Sequence, residues 1–372
     1  MTDTAPNPFF QEPRSFAEVK QELLPIYFEK WCGSRMATAD EPLLFVDLHA
    51  AAGQEQQAQQ AAPPVLQRLL RSTLKTKGLP GLLRFFLNDS AKAGLAGILE
   101  GLEQLPACEE LSEKPLLLSN FENRALLNET LASGFPALLF MDPFSYGFAQ
   151  EMLLQACNAS RSDLLLLLSP ASILRAFTGR KVSQTLVELF EDRLSLITAF
   201  CRKEKHPGRR QEYILQHLQS LLREKSLYTL LFTINQPGTD SPSHYVLFCS
   251  PDVAVYDDFK LTVLPYSGYQ PDGVPLFLAN QGPQHQLSLF EYRPAYAVAQ
   301  LVDELASGQA QWKFKSVGKI YELHSPNTPY IPDNYLAAFE LLRDREKVVL
   351  LNGKTMQTVR KPSLTSVVKY IS

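Results

Sequence analysis

No two cysteines of this chain lie within forty residues of each other, and no CxxC pair occurs. The five that are present (Cys32, Cys108, Cys157, Cys201 and Cys249) form an odd, scattered set. Such a set excludes a disulfide framework and a zinc knuckle, and predicts reduced thiols inside the protein. Catalytic signatures are missing too. There is no G-x-S-x-G, no G-x-x-x-x-G-K-[ST], no H-E-x-x-H, and no G-x-G-x-x-G after the first strand-like run. The last absence argues against a nucleotide-binding dehydrogenase. Six histidines (His49, His206, His217, His244, His285 and His324) show no metal-ligand spacing. The longest uninterrupted apolar run, Leu164 to Leu168, is five residues, whereas a membrane-spanning helix needs about 20. The opening MTDTAPNPFFQEPR has no basic stretch leading into an apolar one, so a cytoplasmic protein is expected.

What remains is an ordinary globular composition over 372 residues, 45% hydrophobic and 20% charged, enough for about two domains. A net charge of −3 excludes any global attraction to nucleic acid or anionic membrane. The charge is unevenly distributed, however. From Lys313 to Ser372 ten Lys/Arg face five Asp/Glu, which predicts a basic C-terminal module on an acidic body.

SFAEVKQELLPIYFEKW (Ser15 to Trp31) opens with Ser15 and Glu18 in capping-box spacing and continues at helical period, with Pro25 expected to kink or split the helix. PLLFVDL, LLRFFLND, KPLLLSN, FPALLFMDPFSYG and SDLLLLLSP then read as strands, separated by amphipathic helices. This alternation between residues 43 and 170 predicts right-handed βαβ units and one parallel sheet. After more helix, SLYTLLFTI and SHYVLFCS flank the turn-forming NQPGTDSP and predict an antiparallel pair. A five-strand parallel run finished by an antiparallel pair is the architecture of class I methyltransferase folds, an α/β class. Periodicity alone does not separate it from other doubly wound folds. From Pro251 to Tyr292 the chain is rich in Pro, Gly and aromatics without clear period, as in a connector. Two helices and a basic strand–loop–strand follow, the pattern of a winged-helix module. The expected organisation is an N-terminal helical segment 1–40, a Rossmann domain 41–260, a connector 261–292 and a winged-helix-like module 293–372.

Ligands of doubly wound sheets bind at the carboxyl ends of the strands. The first such end is LLFVDLHAAAGQ, with Asp47, His49 and Gly53 as candidate cofactor-binding residues. Its single glycine also suits a purely structural turn. Asp89 follows the second strand, where a carboxylate can accept bonds from ribose hydroxyls; it suits a helix N-cap equally well. Asn120 closes the third strand. In MDPFSYG, the stretch Asp142-Pro143-Phe144 with Tyr146 can set a carboxylate acceptor and a flat apolar face around a planar amino group, the arrangement amino-methyltransferases use; a proline-stabilised turn reads the same. The basic run CRKEKHPGRR, with Arg202, Lys203, Lys205, Arg209 and Arg210, is a solvated loop or a phosphate-contacting one. Trp312, Phe314, Tyr321 and Tyr330, near the basic tail, can stack bases or fill a small core.

Taken together, LLPIYFEKW, LLFVDLHAAAG, FLND, LLFMDPFSYG and YTLLFTINQPGTDSPSHYVLFCS resemble the three-Cys-motif partner family, TcmP, over residues 15 to 260. That family typically reads Y-I-D-L-F-A-G-P-G in the second stretch and F-I-D-P-F-G-Y in the fourth. Asp47, Leu48, Ala50 and Gly53 match the former; His49 replaces Phe, Ala51 the first Gly and Ala52 the Pro. Asp142, Pro143, Phe144 and Tyr146 match the latter, with Ser145 for Gly, while Asn120 stands where an acidic residue often ends the third strand. The resemblance implies a methyltransferase-like Rossmann fold, S-adenosylmethionine as the cofactor such a site would hold, and a radical-SAM-like partner bearing the three cysteines. Two functions stay open: an accessory protein with a degenerate cofactor site in a phage- or defence-associated nucleic-acid process, and an active S-adenosylmethionine-dependent amino-methyltransferase acting on DNA or RNA.

Overall fold

The computed structural model describes residues 6–37, 41–52, 64–90, 92–103, 105–119, 121–179, 181–281 and 296–371. The chain forms two compact units. The larger comprises Phe10–Pro237 with Ser241–Val263, and the smaller is built mainly from Leu264–Ser372.

In the larger unit β1 (Leu43–Asp47) is buried at every position. That burial follows from its place, since it pairs in parallel on one side with β2 (Leu83–Leu87) and on the other with β4 (Ala137–Met141). A short β3 (Leu116–Leu117) extends the sheet beyond β2, and β5 (Ser162–Leu168) runs parallel to β4. β6 (Tyr228–Asn235) and β7 (Pro242–Ser250) form the expected hairpin, and β7 pairs antiparallel with β5. The resulting order, β3-β2-β1-β4-β5-β7-β6, with β7 alone reversed, is that of class I methyltransferase folds. Its direction of winding switches between β1 and β4, which opens the crevice where such sheets bind ligands. Between β5 and β6 the chain adds the helices Pro170–Thr178, Gln184–Phe190, Asp192–Lys203 and Pro207–Glu224.

The first helix, α1 (Phe16–Met36), has the expected capping box, Ser15 with Glu18. It belongs to the larger unit. Pro25 was expected to kink or split it; the helix is not split and continues through that position. A proline leaves the carbonyl four residues back without its donor. Here that carbonyl, on Gln21, accepts from Arg68 Nη1 of the next helix at 2.7 Å. A second correction concerns Pro251–Tyr292, where Val253–Val263 forms a helix. Its β-branched residues (Val253, Val255, Thr262, Val263) weaken the helical signal. Burial of Val255, Tyr256, Phe259 and Val263 supplies the missing drive, with Phe259 stacked 4.5 Å from Phe248 and edge-on to Tyr27 at 5.1 Å.

Among its described residues the smaller unit holds the helices Val298–Ser307, Gln309–Trp312, Val317–His324 and Pro332–Asp344, followed by the antiparallel strands Val348–Leu351 and Val367–Tyr370. Leu301, Trp312, Ile320, Tyr330, Tyr335 and Phe339 form its core. All five cysteines of the chain are buried free thiols. Among the described residues no helix is long and apolar enough to cross a membrane.

Candidate functional site: the strand ends at the switch point

A cofactor loop works by pointing unspent backbone N–H groups at its ligand. The turn after β1 spends them internally. His49 N–H donates to Asp47 Oδ1 at 2.9 Å and Ala50 N–H to the Asn88 carbonyl at 2.9 Å. Ala51 N–H donates to Asp89 Oδ2 at 2.9 Å and Ala52 N–H to the His49 carbonyl at 3.1 Å. Asp89, expected to meet a ribose, thereby fastens the alanine turn to the end of β2. Gly53 and Asn120 lie outside the described residues.

Asp47 is occupied as well. Lys20 reaches across from α1, with Nζ 2.6 Å from Asp47 Oδ2 and 2.7 Å from the His49 carbonyl oxygen, and 4.9 Å from the centre of the Phe140 ring. Both partners are shielded from solvent, at 1% exposure each. A buried charge is tolerated only when paired and hydrogen-bonded, and this pair meets both conditions. Lys20 escaped the reading of the sequence, yet a signal for it exists. Phe16, Val19, Leu23, Leu24, Tyr27 and Phe28 set the inward stripe of α1, and Lys20 falls within it. A lysine on an apolar stripe demands a buried carboxylate.

The fourth strand end turns inward in the same manner. Asp142 is buried; Oδ1 accepts from Phe144 N–H at 2.9 Å and Oδ2 from the Ser172 hydroxyl at 2.7 Å. Burial pushes the carboxyl up to about 6, partly offset by the donors Ser172 and the N–H groups of Phe144 and Ser169, and by the charge of Arg175. Phe144 is 4% exposed, its ring centre 5.6 Å from that of Phe177 in an edge-on contact. The flat face expected beside a target amine is therefore part of the core, and Pro143 is buried with it. The Tyr146 hydroxyl donates to the Leu48 carbonyl at 2.7 Å and accepts from Asn88 Nδ2 at 3.0 Å.

His49 links the two strand ends. Its Nε2 accepts from Asp142 N–H at 2.9 Å, so that nitrogen carries no proton and the ring is neutral, protonated on Nδ1. Burial, and then the charge of Lys20, hold its pKa below the usual imidazole value. The ring packs against Phe16 at 5.2 Å and Tyr146 at 5.7 Å. The structure thus brings Asp47, His49, Asp89, Asp142, Pro143, Phe144 and Tyr146 to one place, but joined to each other and to Lys20, Asn88 and Ser172. Among the described residues, those that the motif assigns to S-adenosylmethionine are engaged with one another. The carboxylate of the first strand and the N–H groups of its turn already have partners.

At the opposite, amino end of the parallel strands, Asp163 near the start of β5 is fully buried. It accepts from Trp31 Nε1 at 2.7 Å, Arg35 Nη2 at 2.6 Å and the Ser250 hydroxyl at 2.6 Å. Arg35 Nη1 also meets Asp252 at 2.9 Å. This cluster ties α1 to β5 and to the end of β7. The basic run, expected as a loop, is mostly helical: Arg202 and Lys203 end the helix Asp192–Lys203, and Arg209 and Arg210 lie in the first turn of Pro207–Glu224. Arg202, Lys203, Lys205 and Arg209 are exposed, whereas Arg210 is partly buried and its Nε donates to the Glu204 carbonyl at 2.5 Å. Arg209 lies 3.7 Å from the Glu204 carboxylate.

No protein-family model and no curated protein matches this sequence. Among solved structures it is similar to the plantazolicin methyltransferase BpumL in complex with SAH, at 10% identity over 66% of this chain and 86% of that one, with a TM-score of 0.32. It is also similar to protein LPL1258 from Legionella pneumophila, of family DUF519, at 10% identity over 62% and 85%, with a TM-score of 0.33. Likeness at this level carries no argument about chemistry. The methyltransferase-like fold rests on strand order and direction.

Proposed function

We propose that this chain is an accessory protein, similar to the three-Cys-motif partners, which keeps the methyltransferase-like fold as a scaffold and has lost S-adenosylmethionine binding. The observation that carries this reading is the internal use of four successive N–H groups and the Asp47 carboxylate at the first-strand turn. A radical-SAM-like three-Cys-motif protein is the partner, and the setting is a nucleic-acid process associated with phage or defence. The smaller unit, read as a winged-helix-like module, docks DNA or RNA. Its helix Pro332–Asp344 exposes Asp333, Glu340 and Asp344, so contact with phosphates falls to the hairpin and its loop, where Lys354, Arg360, Lys361 and Lys369 are exposed.

Calorimetric titration with S-adenosylmethionine and S-adenosylhomocysteine tests the first claim. No heat of binding is expected up to millimolar ligand. Micromolar binding that disappears on Asp47→Ala would instead establish the competing reading, an active amino-methyltransferase. The nucleic-acid claim predicts affinity that falls steeply between low and physiological salt.

A further inference from the structure

Four aromatic residues near the basic tail were candidates for stacking bases, and they separate cleanly. Trp312, Tyr321 and Tyr330 are buried in the core of the smaller unit, at 4%, 6% and 0% exposure. Phe314 is 53% exposed. Its backbone is left-handed, with φ +62°. For a bulky side chain this conformation is a genuine outlier, and it persists only where the surroundings over-determine it.

The surroundings do so here. Phe314 N–H donates to the Val368 carbonyl at 2.7 Å, and Val368 N–H returns a bond to the Lys315 carbonyl at 3.0 Å. Val317 N–H and Gly318 N–H continue onto the residues that precede this strand, to the carbonyls of Ser366 at 2.9 Å and Leu364 at 2.8 Å. The segment is thus pinned as an edge beside Val367–Tyr370, and the local backbone reversal turns the phenyl ring outward. Lysines flank it. Lys313 Nζ lies 5.5 Å from the Phe314 ring centre and Lys315 Nζ 5.9 Å from that of Trp312, while the exposed Lys369 follows Val368 on the neighbouring strand.

We propose that Phe314 is a stacking post for an unpaired base of single-stranded nucleic acid, with Lys313, Lys315 and Lys369 meeting the adjoining phosphates. This rests on the nucleic-acid reading of the smaller unit and specifies its substrate. An exposed ring held on a rigid edge between cations is the arrangement that single-strand binding requires, because every base offers a π-face and each phosphate a charge. A duplex hides its base faces, so Phe314 would add nothing to duplex binding.

The test is fluorescence anisotropy of the full-length chain at low salt, with a labelled oligothymidylate of about 15 nucleotides and a duplex of equal length. Phe314→Ala and Phe314→Gly are expected to weaken oligothymidylate binding at least about fivefold, the lower end for one stacked base. Phe314→Trp should retain it, and the duplex should be bound equally by all. Phe314→Gly suits the observed φ, so its melting temperature should not fall and lost binding cannot be ascribed to unfolding. If Phe314→Gly binds oligothymidylate like the wild type while Lys354→Gln/Arg360→Gln/Lys361→Gln does not, the stacking post is wrong and the broader nucleic-acid reading survives. If the wild type binds neither probe, both fall. If Phe314→Gly abolishes self-association in sedimentation but leaves oligothymidylate binding intact, the ring is a protein contact and the proposal is overturned.

Discussion

At the end of β1 four successive N–H groups, a carboxylate and an ammonium find partners inside the protein, whereas at Phe314 the backbone adopts a left-handed conformation to hold an aromatic ring in water. The first region sits where a doubly wound sheet ordinarily works, and among the described residues its turn N–H groups and its carboxylate are already paired. The second lies on the edge of a small hairpin, and there conformational energy is spent without any gain in packing. An aromatic ring kept in water by a strained backbone that strand hydrogen bonds hold in place is the better pointer to use. A fold's customary site and its present site need not coincide.

Four substitutions break or sharpen this contrast, beginning with the largest effect. Lys20→Met leaves Asp47 charged, buried and unpaired, and should cost about 3–5 kcal/mol in urea unfolding. The double variant Lys20→Met/Asp47→Leu should recover most of that loss. A single-variant cost below about 1 kcal/mol would mean that the turn is open to solvent and the seal is illusory.

Asp142 comes next. Its folded pKa of about 6 lies above the ordinary 3.8, so ionisation is penalised in the folded state. The unfolded chain releases this proton first, and stability therefore declines as pH rises from about 4 to 6 and is flat above that. The ceiling of the penalty is about 3 kcal/mol. Asp142→Asn should be more stable than the wild type at pH 8 and lose the advantage by pH 4; the Ser172 hydroxyl can keep donating to the Ser169 carbonyl, 2.8 Å away. Parallel curves for the two proteins would show that Asp142 is solvated and available to a substrate after all.

Phe314→Gly should raise stability by about 1 kcal/mol, the left-handed penalty of a non-glycine residue less the extra chain entropy of glycine. A fall in melting temperature would locate the ring's value in packing. Smallest of all, Arg68→Met should lower stability slightly by exposing the Gln21 carbonyl to water alone. No change would mean that Pro25 is accommodated without Arg68.

Much of this architecture could be read from the residues. Five apolar runs ending in Asp47, Asp89, Ser119, Asp142 and Ser169 give the strands, Ser15 with Glu18 gives the first helix, and NQPGTDSP gives the hairpin. Each is a local pattern, complete within about ten residues. What escaped depends on distant partners. Pro25 is rescued by Arg68, the Tyr146 hydroxyl caps Leu48 across 98 residues, and Asp47 is claimed by Lys20 of a helix that looked separate. The DPF motif misled for a related reason. A sequence shows that a carboxylate and a ring stand at a strand end, but not whether they face the crevice or the core. Phe314 was visible as an aromatic among lysines; its exposure was not, because only the pairing with Val368 sets the direction of the ring.

The polar anchors of α1 also impose a schedule. Trp31 and Arg35 wait for Asp163, and Arg35 waits for Asp252, which leaves the ribosome 217 residues later. At roughly 5–20 residues per second the Arg35 guanidinium waits on the order of 10–40 s for Asp252, and the Trp31 indole a shorter time for Asp163. A chain built this way is most vulnerable at its beginning and early in its life, so chaperone dependence during synthesis should be set by the first helix more than by the sheet that follows it.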